Sequence, residues 1–352
     1  MSLEDQIIAR IAANGPISIA DYMTECLLHP ELGYYTAQNP FGRSGDFITA
    51  PDISQVFGEL IGLCLAQAWL DQGRPDRFIL AELGPGRGTL MKDALRATAT
   101  VPGFLEASHL VLIEASPRLR QIQQETLAGH PVSFEDRAED LAQAPLFFVA
   151  NEFFDALPIR QFQRSGNGWR ERQVGLDGEI LALGLGPIMA QPALRHRLED
   201  TAEGDIIEDS PTTAPVISEL TSRIRQNGGA GLVIDYGDWR SKGDTLQAVR
   251  AHSYVDILEA PGTCDLTAHV DFEALALASR CPHSKLTPQG VFLERLGITA
   301  RSQALARHLS GEALDTHVSA HRRLTHPDEM GNLFKVFGFF PDGAAPPAGL
   351  DL

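Results

Sequence analysis

The chain predicts an α/β fold: a mostly parallel, Rossmann-like sheet with helices on both faces, an N-terminal helical lid and inserted hairpins. Three observations carry that expectation. Apolar runs at 78–81, 109–113, 132–134, 146–150 and 231–234 alternate with helical patterns at 89–97, 117–128 and 212–227, the rhythm of βαβ units. The runs are close to continuous, as strands buried on both faces must be. The first run feeds a glycine turn, Gly84-Pro85-Gly86-Arg87-Gly88, that opens a helix.

The elements follow in order. Residues 2–28 read as two short helices. Ser2 with Asp5, and Ser18 with Asp21, have capping-box spacing; Leu3, Ile7, Ile8 and Ile11 form an apolar stripe; Gly15-Pro16 separates the pair. From 29 to 51 the chain is loop-like, carrying Gly33-Tyr34-Tyr35 and Gly45-Asp46-Phe47-Ile48-Thr49-Ala50-Pro51. A loop this long is more often functional than filler. A helix over 53–69 places Val56, Phe57, Leu60, Ile61 and Cys64 on its apolar side. Residues 160–185 alternate around Gly166-Asn167-Gly168 and Asp177-Gly178, which predicts antiparallel hairpins. Residues 238–268 read as a long irregular loop before a helix near Asp271. Residues 334–339 read as an added edge strand.

The domain expectation is correspondingly layered. Residues 1–52 form N-terminal helices and a lid loop, and 53–160 the ligand-binding half of the core. Residues 161–210 are an inserted hairpin segment. Residues 211–340 form the second half of the core, with a substrate-side insertion at 238–268. The stretch 341–352, rich in Gly, Ala and Pro, is expected to be a flexible tail.

Composition narrows the function. The 352 residues are 43% hydrophobic, enough for a sizeable core. A formal charge of −17 disfavours general binding to nucleic acid or anionic membrane, and fits a protein that receives a cationic ligand or a basic segment. Cys26, Cys64, Cys264 and Cys281 show no C-x-x-C spacing, so neither a metal site nor a redox motif is expected. No apolar run approaches the roughly 18 residues of a membrane span. The N-terminus has no signal-peptide core and no Arg-rich transit segment, so a cytoplasmic, bacterial setting is expected.

The glycine turn carries the first chemistry. A strand, a glycine turn and a helix present backbone N–H groups to a nucleotide-like ligand. A dinucleotide fingerprint reads G-x-G-x-x-G. Here the spacing is G-x-G-x-G, with Glu82 in front, which is the pattern of S-adenosyl-L-methionine (SAM) enzymes. That ligand carries a sulfonium cation and no pyrophosphate, so a nearby carboxylate helps. The plainer alternative is a βα turn needing glycine for positive φ. Against it stands a convergence. In open α/β sheets the ligand lies beyond the carboxyl ends of the strands, and four strand ends carry acids or amides: Glu82, Glu114, Asn151 with Glu152, and Asp235.

Roles follow from these positions. Glu82, Gly84, Pro85, Gly86 and Gly88 are candidate SAM contacts, with Glu114 on the ribose hydroxyls. Asp136 is the candidate acceptor for the adenine amino group, and Asp46 for closure from the lid. The second motif is Asn151-Glu152-Phe153-Phe154-Asp155. Rings beside carboxylates make a slot for a cation, and a carboxylate can hold a guanidinium through two bonds and aim one nitrogen. Asn151, Glu152 and Asp155 are therefore the candidate catalytic residues. Phe153, Phe154, Asp235 and Tyr236 are the candidate substrate contacts. Phe153 and Phe154 as core, and Asp155 as a turn cap, is the bland alternative.

These motifs together resemble one family, the SAM-dependent methyltransferases once grouped as DUF185 and related to the mitochondrial complex I assembly-factor arginine methyltransferase. The likeness runs from about residue 20 to 340. It includes Gly33-Tyr34-Tyr35, the ISQVFGE stretch from Ile53 to Glu59, ELGPGRGTL from Glu82, NEFFDALPIRQ from Asn151, Trp169-Arg170-Glu171, Asp235-Tyr236-Gly237, PGTCDLTAHVDF from Pro261, and 331–337. It implies a class I methyltransferase fold and arginine N-methylation of a protein acceptor, a subunit of the respiratory NADH–quinone oxidoreductase. By position it puts Gly84, Gly86 and Gly88 on SAM, with Asn151 and Glu152 at the transfer site. Two other readings are open: methylation of a small molecule or another protein side chain, and a non-catalytic SAM-binding assembly chaperone.

Overall fold

In the computed structural model, residues 1–37 and 49–352 are described, and the chain divides into two compact units. The larger takes its residues from 48–154, 214–237 and 272–352; the smaller from 1–47, 155–213 and 238–271.

The larger unit holds the central sheet. Its strands lie in the order Thr287–Pro288, Phe334–Phe339, Gly229–Asp238, Leu146–Asn151, Phe78–Leu83, Ser108–Ile113, Val132–Glu135. The last five named are mutually parallel. All six residues of Phe78–Leu83 and of Leu146–Asn151 are buried, because helices cover both faces. Phe334–Phe339 runs antiparallel to Gly229–Asp238, and it is not the edge strand expected: Thr287–Pro288 pairs on its outer side. A strand of two residues has no period to read.

On one face Phe78, Leu80, Leu110, Leu112, Phe147 and Val149 join Trp69 and Phe57 of the Gln55–Asp71 helix in one core. That helix lies close against Thr89–Thr98, the helix after the glycine turn. A Cβ at Gly62 would stand 2.7 Å from Ala94. Three helices, Gln289–Arg295, Ile298–Ala306 and Glu312–Thr325, complete this unit; sequence reading had not placed them.

The tail is packed, against expectation. Leu350 is 7% exposed and belongs to the main core, Lys285 N–H donates to Asp351 O at 2.8 Å, and Asp351 pairs with Arg295 at 2.8 Å. Its Gly and Pro content hid a single anchoring leucine.

In the smaller unit the two N-terminal helices form as read, over Leu3–Asn14 and Ile19–Leu28, and Ser2 and Asp5 make a reciprocal capping box. Their buried faces pack Leu3, Ile7, Tyr22 and Met23 with Val174 and Leu266. The expected hairpins are present as Arg160–Ser165, Gly168–Asp177 and Ile180–Met189. The stretch expected to be an irregular loop contains a three-stranded antiparallel sheet of Gln247–Arg250, Ser253–Val255 and Asp265–Thr267. Strands of three and four residues leave too few alternations to be recognised.

Candidate functional site

The site builds up from the carboxyl edge of the parallel strands. Leu83 pairs with Ile113 and with Ala150, Ile113 with Glu135, and Asn151 with Ile234. The strand ends that carry Glu82, Glu114, Asn151, Glu152 and Asp235 therefore share one edge. From Phe78–Leu83 the chain steps outward through Ser108–Ile113 to Val132–Glu135. It then returns to place Leu146–Asn151 on the opposite side. The gap between Phe78–Leu83 and Leu146–Asn151 is thus the topological switch point, where such sheets open a binding crevice.

The glycine turn borders that gap. Gly84, Gly86 and Gly88 have φ of +60°, +52° and +78°, values that favour residues without a Cβ. Gly84 N–H donates to Ile113 O at 3.1 Å, which ties the turn to the neighbouring strand. A Cβ at Gly84 would lie 2.8 Å from the Phe153 ring, so the turn and the 151–154 stretch are in close approach. Pro85 O accepts from Gly88 N–H at 2.7 Å and closes the turn.

Glu82 sits beneath the turn at 3% exposure, and its Oε2 has no hydrogen-bond partner among the described residues. Burial pushes its carboxyl up to about 8, against the pull of the Met91 backbone N–H. Glu114 is better satisfied. It accepts from Ser116 N–H at 2.7 Å and from Gln123 Nε2 at 3.2 Å; burial still raises its carboxyl above the ordinary range. Asp136 is exposed and pairs with Arg120 at 2.6 Å, while Arg120 Nε donates to Glu114 O at 2.7 Å. Arg120 so joins the two acids assigned to the adenosine half.

Across the gap, Glu152 has φ +51°, an uncommon conformation for a residue with a Cβ. Its Oε1 accepts from Ala50 N–H at 3.1 Å and from Asn151 Nδ2 at 3.0 Å. Asn151 is 8% exposed, and its Oδ1 has no partner among the described residues. Asp235 is fully buried. Its two oxygens accept from Phe154 N–H at 3.0 Å and Tyr236 N–H at 2.9 Å, so it fixes the backbone of 154. Phe153 and Phe154 meet edge to face at 5.1 Å; Phe154 is buried, whereas Phe153 is half-buried against Gly84. Tyr236 is 9% exposed, packed edge-on to Phe334 within the core.

Asp46 lies outside the described residues. Asp155 belongs to the smaller unit, where it is 6% exposed and its carbonyl accepts from Ala268 N–H at 2.9 Å. Its charge also bears on Tyr35, whose hydroxyl donates to Asp265 at 2.8 Å.

Sequence reading missed three contributors. Gln123 donates to Gly86 O at 2.8 Å as well as to Glu114. Thr89 Oγ1 donates to Asp52 at 3.2 Å, and Ala50 supports Glu152. The Thr49-Ala50-Pro51 signal was present, but nothing in it pointed to Glu152, 102 residues away.

The donor set fits an adenosyl sulfonium ligand. Two buried oxygens, Glu82 Oε2 and Asn151 Oδ1, lack partners on either side of the gap, and the Gly84 cradle is one that a Cβ would fill. Acceptors without donors suit a ligand that brings an ammonium, a sulfonium and hydroxyls.

Comparison with known proteins agrees. Residues 60–291 match the model of a family of S-adenosyl-L-methionine-dependent methyltransferases. The mitochondrial protein arginine methyltransferase NDUFAF7 of Danio rerio is 36% identical over 366 residues, covering 96% of this chain and 86% of that protein. NDUFAF7 of Homo sapiens is 36% identical over 365 residues, covering 95% and 82%. A Burkholderia thailandensis crystal structure bound to S-adenosyl-homocysteine superposes with a TM-score of 0.84, at 28% identity, over 99% of this chain and 93% of that one.

Proposed function

Because the chain belongs to that family of S-adenosyl-L-methionine-dependent methyltransferases, we propose that it N-methylates an arginine of a protein acceptor, with Glu152 as the residue that holds the guanidinium. The observation that carries the assignment is the placement of the Glu152 carboxylate. It stands at the switch-point edge, in a strained backbone conformation, with Oε1 fixed by Ala50 and Asn151. Strain of this kind costs on the order of 1–3 kcal/mol and persists where surrounding structure enforces it.

In this reading Glu114 takes the ribose hydroxyls, and the Gly84–Gly88 turn admits the ligand backbone. Glu82 and Asn151 offer the oxygens for its polar groups. SAM, when bound, supplies an electrophilic methyl group on a sulfonium. Glu152 orients the planar guanidinium by charge and hydrogen bonding. The guanidinium enters protonated, so one N–H proton must leave as the new N–C bond forms and the methyl–sulfur bond breaks to leave a neutral thioether; Glu152 stabilises the cation before transfer and is the carboxylate that would take that proton. Phe153 keeps an apolar wall beside the reacting atoms. In-line displacement needs mainly alignment, which is what fixed side chains provide.

We further place the acceptor in the respiratory NADH–quinone oxidoreductase, the enzyme that the family resemblance implies, and the reaction in the cytoplasm. Four buried cysteine thiols support a reducing compartment. No helix among the described residues is long and apolar enough to cross a membrane.

The test is incubation of the purified protein with isotopically labelled SAM and recombinant subunits of that oxidoreductase, read by mass spectrometry. Methyl-arginine on one subunit, abolished in E152Q, is expected. SAM binding without any methyl-arginine would overturn the acceptor assignment, and label on a small molecule or another side chain would replace it.

A further inference from the structure

Gln123 lies on the Pro117–Thr126 helix and is fully buried. Its Nε2 donates to Gly86 O at 2.8 Å and to Glu114 Oε2 at 3.2 Å. Its stem runs beside the glycine turn, where a Cβ on Gly88 would stand 3.7 Å from Gln123 Cγ. One amide thus spans the two elements assigned to the adenosine half, the turn and the ribose acid. The amide orientation is determined. Flipped, Oε1 would face a carbonyl and a carboxylate, both acceptors. As placed, Nε2 uses both protons, and Oε1 is left without a hydrogen-bond partner among the described residues. A buried amide that leaves its own oxygen unsatisfied in order to bridge two loops is doing so at a cost, and stability alone would favour an apolar side chain of the same shape.

We propose that Gln123 is a positioning residue that sets the distance and orientation of Glu114 relative to the Gly86 turn, and thereby the selectivity of the site for an intact ribose. This rests on the reading of Glu114 as the ribose acid. Glu114 Oε1 is held by its own turn through Ser116 N–H; the hold on Oε2 comes from the helix through Gln123. With both oxygens restrained, the carboxylate offers its remaining lone pairs in one direction, which suits two adjacent hydroxyls. Without Gln123, the carboxylate can rotate and meet one hydroxyl at a time. Discrimination against a ligand lacking one hydroxyl should then fall.

Calorimetric titration with S-adenosyl-homocysteine and with its 2′-deoxy and 3′-deoxy forms tests this in wild type, Q123M and Q123E. Q123M keeps the shape without donors. Q123E keeps the volume and, when ionised, presents only acceptors, so it serves if Q123M does not fold. Wild type should bind the parent roughly tenfold or more tighter than either deoxy form, the size of one charge-assisted hydrogen bond. In the variants that ratio should collapse toward one, as the KM for SAM rises by more than kcat falls. A purely structural role would weaken all three ligands equally and leave the ratio intact, which overturns the inference. If wild type itself does not distinguish the ligands, the assignment of Glu114 fails first, and the inference with it.

Discussion

Glu152 N–H donates to Ile234 O at 2.9 Å while its own φ is +51°. The bond extends the parallel pairing one residue past Asn151; at that residue the chain leaves the strand, with the carboxylate on Ala50 and Asn151. The arrangement predicts a separation between stability and activity. In E152Q the side-chain oxygen still accepts from both partners, so the melting temperature should stay within about 2 °C of wild type. The charge that holds a guanidinium is lost, and turnover should fall by about 100-fold or more. Near-normal turnover in E152Q would remove Glu152 from the mechanism.

Gly84 offers a second check. Alanine there carries two penalties: φ of +60°, and a Cβ 2.8 Å from the Phe153 ring. Together they should destabilise the protein by about 3 kcal/mol and weaken SAM binding. A smaller side chain at 153 removes the second penalty only. Comparison of G84A, F153L and the double variant by urea denaturation should therefore give a favourable coupling of about 1 kcal/mol. Strict additivity would mean that the turn and Phe153 are not in contact in solution.

Glu82 makes stability depend on pH. Its carboxyl titrates at about 8 in the folded chain and near the ordinary 4.5 when unfolded. A raised carboxyl binds its proton more tightly when folded. Its contribution is complete below the unfolded value and is lost as pH rises through about 8, at about 1.4 kcal/mol for each unit of displacement. Denaturation measured from pH 5 to pH 9 should show stability falling with pH in the wild type. E82Q, which is neutral throughout, should fall less; Glu114 and Glu208, also raised by burial, keep some slope in both. Coincident profiles for the two proteins would show that Glu82 is not buried as described.

What sequence reading could and could not reach follows from range. The five parallel strands, the glycine turn and the Ser2–Asp5 capping box are signalled by residues within a few positions of one another, and each is where the sequence places it; Ser18 caps its helix through Asp21 N–H without a reciprocal backbone bond among the described residues. The acids at the strand ends were legible for the same reason, since a strand end is a local event. The position of Asp235 at a strand end is legible, but its bond to Phe154 N–H is not, because that partner lies 81 residues away. Gln123 was invisible for the converse reason. A glutamine on a polar helix resembles any surface glutamine until Gly86 is brought to it from 37 residues upstream. The short strands at 247–267 and the helices after 289 carry too little periodicity to be separated from loop.

The tail supplies the last prediction. Pro341 to Leu352 reads as flexible, yet Leu350 fits against Gly338 of the Phe334–Phe339 strand, where a glycine Cβ would be 2.5 Å from Leu350 Cδ1. Gly338 thus leaves the space that Leu350 fills. Cys64 Sγ also donates to Ala348 O at 3.4 Å. L350A should cost about 2–3 kcal/mol by urea denaturation, the usual effect of removing a buried leucine. Two simpler outcomes are distinguishable. If the tail were loosely held, L350A would be neutral and the segment would be cut by protease at the same rate in both proteins. If it is docked as described, L350A should accelerate cleavage within 341–352 while the strand beneath stays protected from hydrogen exchange.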